Sequence, residues 1–74
     1  MVTVKVCWKS TGKSAKGKDV VISFDGLMRG VTRKVLTDSN GEAHFDADPG
    51  TGKVIVDGER AFSGRIEGRV MVYV

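Results

Sequence analysis

A single cysteine, a single proline, a single histidine and only five aromatic residues stand in a chain of 74. One cysteine closes no internal disulfide, and small domains outside the cell commonly depend on such a staple, so the thiol count favours the cytoplasm, with an excised module of an exported protein as the alternative. One imidazole leaves little for a closed transition-metal site, which usually takes three or four ligands, and no nucleophile, base and orienting group stand together in the pattern. Neither enzymatic activity nor a cofactor is expected. No apolar run approaches the roughly 18 to 20 residues that span a bilayer, so no membrane insertion is expected. The opening Met1 to Val6 alternates polar with apolar residues and lacks the apolar block and small-residue cleavage site of a signal peptide.

What is present is glycine, valine and mixed charge. Seventy-four residues bound one domain, residues 1–74, with one small core. Ten glycines and short runs rich in valine favour many short strands joined by tight turns. Twelve basic residues against nine acidic ones give a formal charge of +3. The two signs are interspersed, which describes a solvated mixed surface more than a polyanion-binding one.

Val2, Val4, Val6 and Trp8 share one parity and predict a half-buried first strand with Trp8 facing inward. Ser10 to Lys18 has no apolar residue larger than Ala15 and predicts a mobile surface loop. Val20, Ile22 and Phe24 point inward from a second strand, which Asp25-Gly26 ends, with Leu27 to Gly30 as an exposed tip. A third strand is predicted over Val31 to Thr37, where the parity of Leu36 disagrees with that of Val31 and Val35, as a bulge or burial on both faces would produce. Asp38-Ser39-Asn40-Gly41 reverses the chain into a strand with Ala43 and Phe45 inward. Asp48 to Gly52 is a second turn cluster, before a short strand Val54 to Val56 that Asp57-Gly58 closes. From Phe62 to Val74 runs the longest alternation, with Gly64 and Gly68 on its inner parity marking where it bends or divides. The expected fold is all-β, a single antiparallel β-sandwich of six or seven strands, prealbumin-like or immunoglobulin-like.

Thr37-Asp38-Ser39-Asn40-Gly41-Glu42-Ala43-His44-Phe45 joins turn chemistry to an aromatic four residues after the glycine. With the strands Val2 to Trp8 and Val20 to Phe24, the loop Gly12 to Lys18, and Pro49-Gly50 leading to Val54 to Val56, it resembles over residues 2–58 the small transthyretin-like β-sandwiches. These include the carboxypeptidase regulatory-like and collagen-adhesin B-type repeats. The resemblance implies an accessory or structural module, not an enzyme, with a protein or polysaccharide as its partner. An enzymatic branch of that group ends in Tyr-Arg-Gly-Ser, whereas this chain ends in Val-Tyr-Val and has one histidine.

Pro49-Gly50-Thr51-Gly52-Lys53 does not meet the needs of a phosphate loop, because Ala47 stands where the first glycine belongs and Val54 where the hydroxyl belongs. Asp38, Asn40 and Glu42 open like a calcium loop, but Ala43 and Pro49 occupy its sixth and twelfth positions. His44 with Asp46 and Asp48 offers too few ligands, and Cys7 reads as an inert thiol. The candidate interaction surface is therefore basic: Lys9, Lys13, Lys16 and Lys18 in the first loop, and Arg65 and Arg69 sharing a strand face with Tyr73. Two uses of it are expected. One is binding of a macromolecular partner through loops or a sheet edge, in which Arg69 to Val74 as an edge strand would pair with a partner or a second copy. The alternation alone leaves open whether that strand lies at the edge or inside the sheet. The alternative is a small basic β-barrel that binds single-stranded nucleic acid.

Overall fold

The structure, a computed structural model that describes residues 1–26 and 29–74, is all-β: among the described residues it has no helix and eight strands in two sheets. In chain order these are β1 (Val2–Cys7), β2 (Asp19–Phe24), β3 (Gly30–Val31), β4 (Val35–Leu36), β5 (Glu42–Phe45), β6 (Gly50–Val56), β7 (Glu59–Ile66) and β8 (Arg69–Tyr73). One sheet has the order β5-β1-β8, and the other β3-β2-β6-β7 with β4 also paired to β2. The inward residues of both sheets join one core, in which Val2, Val4, Val6, Ile22, Val54 and Ile66 are fully buried. The expected inward parities of β1, β2 and β5 hold through Val6, Phe24 and Phe45.

Two expectations about the whole are corrected. Eight strands replace six or seven, because the predicted third strand is two short pieces. Gly30 and Val31 pair with Phe24 and Ser23, and Val35 and Leu36 pair with Val20 and Asp19. Between them the ladder is interrupted where the Ile22 amide donates to the Thr32 hydroxyl at 3.0 Å and the Thr32 amide donates to the Ile22 carbonyl. Both Val31 and Leu36 are exposed. The parity conflict is thus an irregular edge rather than burial on both faces. The sheets are also not wholly antiparallel, since β8 runs parallel to β1, with Val4 opposite Val70 and Val6 opposite Val72. The reason lies at Gly68, whose φ of 61° few side chains adopt: it breaks the long alternation, and the chain crosses from the five-stranded sheet to the three-stranded one.

The glycine-rich segment is strand. Gly50, Thr51 and Gly52 pair with Ile66, Arg65 and Gly64 of β7, and Gly52 also pairs with Phe24 of β2. Their backbone belongs to a ladder, so no ring of amides cradles a phosphate here. A Cβ at Gly52 would meet the Ser23 carbonyl oxygen, which explains the residue in steric terms. Asp57 and Gly58, with φ of 51° and 82°, form the two-residue turn between β6 and β7, as positive φ at both positions of such a hairpin requires.

The first loop is held down. Ala15 is fully buried, Cys7 bridges Ser14, and the Thr37 hydroxyl donates to the Ala15 carbonyl at 2.6 Å while accepting from the Lys18 amide at 2.8 Å. The loop lies at the surface as expected, with Ala15 as its buried exception, and the anchor is made of backbone groups and one threonine, which a count of side-chain size does not register. At the other end, Leu27 and Met28 of the expected tip lie outside the described residues. Arg29, beside them, is exposed and folds back to donate to the carbonyls of Asp48 and Pro49.

A candidate interaction surface at strand β8

Strand β8 alternates so that Val70 and Val72 enter the core while Arg69, Met71 and Tyr73 face solvent. Met71 is 47% and Tyr73 50% exposed, large for apolar and aromatic side chains. The Thr3 amide donates to Gly68, the Val74 amide to Cys7, and the Lys9 amide to Val74. In a parallel ladder this phase assigns the backbone groups of the even-numbered residues to β1, and turns those of Arg69, Met71 and Tyr73 to the opposite side. No strand among the described residues lies there, because β8 ends the sheet. The choice that the alternation leaves open is thus resolved: β8 is an edge strand.

Beside β8 on the outer face is a polar network. The Arg69 guanidinium lies 3.0 Å from Glu42 Oε2, Glu42 Oε1 lies 3.8 Å from His44 Nε2, and His44 Nδ1 is 2.9 Å from the Thr3 hydroxyl. Asp38, Glu42 and His44 bring donor atoms within 4.8 Å of one another. Those donors are already engaged: Glu42 by Arg69, and Asp38 Oδ1 by the amides of Glu42 and Asn40 at 3.0 and 2.9 Å. The bond from the Glu42 amide, foremost, holds the Asp38 carboxyl below its ordinary value. The arrangement is an ion-pair and turn network that fixes where Arg69 points.

The expected basic surface is partly dispersed. Lys9, Lys13 and Lys16 are exposed around the first loop. Lys18 instead pairs with Asp57 at 3.1 Å and stands 4.4 Å above the Trp8 ring. Arg65 does not share a face with Arg69 and Tyr73: it is on β7 in the other sheet, paired with Glu67 at 3.1 Å, because the chain changes sheets at Gly68. Arg69 and Tyr73 do share the outer face of β8. Trp8 is not inward either, being 39% exposed while Cys7 is buried. Strand β1 ends at Cys7, and the Trp8 amide donates to the Lys13 carbonyl to begin a turn that abandons the alternation.

Two residues escape the sequence reading. Met71 carries the same parity as Arg69 and Tyr73, so the signal was present in the alternation. Arg29 lies over the Phe24 ring at 3.9 Å and lines a polar cleft of about 470 Å³ with Asp46 and Asp48, and nothing local in sequence links these segments. No family model, curated protein or solved structure matches this chain.

Proposed function

We propose that the chain is a non-catalytic β-sandwich module that binds a macromolecular partner along the edge and outer face of β8. The observation that carries this reading is the free edge itself: three consecutive outward-facing backbone positions, Arg69, Met71 and Tyr73, whose side chains present a cation, a thioether and a phenol. Strand addition draws affinity from main-chain hydrogen bonds and specificity from alternate side chains, and β8 offers both. The resemblance of residues 2–58 to transthyretin-like accessory modules favours the same kind of role.

The test is capture of partners by the native chain and by Met71→Pro. Proline at this position removes a donor that faces away from β1, so the internal ladder is kept. A partner retained by the native chain and lost by the variant is the expected result. Equal capture by both, or capture by neither of any partner, a second copy of the chain included, overturns the reading.

One observation favours a second reading, that of single-stranded nucleic-acid binding: Trp8 is exposed near Lys9 and Lys13 rather than inward. A base stacks on such a ring beside cations. Titration with a labelled oligonucleotide at two salt concentrations tests it, since binding through phosphates weakens steeply with salt.

A further inference from the structure

Among the described residues, three of the four sheet edges are blunted. The β3–β4 edge is interrupted between Val31 and Val35 and carries Arg33 and Lys34 in the gap. Strand β7 is irregular opposite Val54 and Ile55, where Ala61 has no partner in the register, and carries Arg60 and Arg65. Strand β5 has only four residues, and its outward Glu42 carbonyl already accepts from the Asp38 amide. Interruptions, bulges, short strands and charges are the devices by which sheets avoid unwanted pairing. Strand β8 has no bulge or proline, and only Arg69 among its outward residues is charged, a charge already paired with Glu42.

We infer that the occupant of the β8 edge is a second copy of this chain, paired antiparallel about a two-fold axis through Met71. This rests on the reading of β8 as a binding edge and names its partner. A two-fold axis fixes which residues meet, because only outward-facing positions exchange hydrogen bonds across an antiparallel pair. With the axis at Met71, Arg69 meets the partner's Tyr73, Met71 meets the partner's Met71, and Tyr73 meets the partner's Arg69. All three outward positions of β8 are then used. An axis at Val70 or Val72 pairs only two of them within the strand.

The chemistry agrees with that register. Arg69, held by Glu42, sets no unpaired charge opposite the partner's Tyr73, and two thioethers meet on the axis without charge or a branched Cβ. No like charges are opposed. The two three-stranded sheets then form one continuous six-stranded sheet, with the outer faces on one side. The contact is only five residues long, so it sits at the small end of specific interfaces and gives a weak, concentration-dependent dimer.

Sedimentation of the native chain over a wide concentration range is the test, with Met71→Lys and Met71→Glu as variants. Met71 is exposed, so neither substitution disturbs the core. The expected result is a weight-average mass that rises from 8.0 kDa toward twice that value for the native chain. Each variant alone stays at the monomer mass, and an equal mixture of the two associates again, because opposite charges then meet on the axis. A native chain that is monomeric at every concentration overturns the inference, as does association that Met71→Lys leaves unchanged. A monomer that nevertheless captures a partner sensitive to Met71→Pro retires the second copy while keeping the edge reading. A monomer with no such partner removes both.

Discussion

The two sheets of this small protein solve the same packing problem and treat their margins differently. The five-stranded sheet is open, with β3 and β4 at one margin and β7 at the other. Gly52 lets β6 approach β2 closely, the Asp57-Gly58 turn joins β6 to β7, and both outer strands are irregular. The three-stranded sheet has fewer strands, contains the parallel pair of β1 and β8, and ends in a regular strand beyond which no strand lies among the described residues. The contrast is a division of margins around one shared core: the first sheet has irregular strands on both sides, and the second leaves the regular edge of β8 without a strand beside it.

The largest test of this division is Gly52→Ala. The added Cβ meets the Ser23 carbonyl, a backbone atom that yields only if strands separate, so a loss of about 3 kcal/mol is expected from overpacking. A urea midpoint near that of the native chain would show that β6 does not approach β2 at Gly52 as described. Next is Thr37→Val, which keeps the shape and removes the hydroxyl that joins Ala15 to Lys18. A buried carbonyl and an amide lose their partner, with an expected cost of about 2 kcal/mol and faster proteolysis in residues 10–18. An unchanged midpoint would mean that the first loop is not anchored through Thr37.

Much of this division was legible in sequence. The alternations at Val2 to Val6, Val20 to Phe24 and Val70 to Val72 gave the inner faces, because one buried face per strand is the only economical solution for a thin core. What was not legible depended on neighbours distant in the chain. Trp8 obeys the strand period but lies past the point where the Lys13 carbonyl captures its amide. Arg65 and Arg69 share parity, and only the turn at Gly68 shows that they belong to different sheets. The edge position of β8 is a property of strand order, which local periodicity does not encode.

A smaller effect sharpens the contrast at β8. Met71→Ala removes an exposed side chain and is expected to change stability by less than about 0.5 kcal/mol. In dilute solution the amides of Val70, Val72 and Val74 exchange slowly with solvent deuterium, while those of Arg69, Met71 and Tyr73 exchange quickly, since only the first set donates to β1. Uniform protection along β8 would contradict the ladder phase and the free edge together.

The smallest effect distinguishes the sheets through pH. Asp57 ties the β6–β7 turn to the five-stranded sheet, where its carboxylate accepts from the Asp19 amide at 3.0 Å and pairs with Lys18, and these contacts, the amide foremost, lower its pKa. Asp38 holds the turn that enters the three-stranded sheet, and its pKa is lowered chiefly by the Glu42 amide. A carboxyl whose pKa is depressed on folding stabilises the fold above its ordinary value, here 3.8, and that contribution is lost as pH falls through the lower folded value. Asp38→Asn still accepts from the amides but carries no charge to lose. Its urea midpoint is therefore expected below that of the native chain at neutral pH and to converge with it in acid, and Asp57→Asn is expected to do the same. If Asp38→Asn keeps the native acid slope while Asp57→Asn flattens it, the acid sensitivity belongs to the five-stranded sheet alone, and the Asp38 turn adds no charge-dependent hold on the sheet that carries β8.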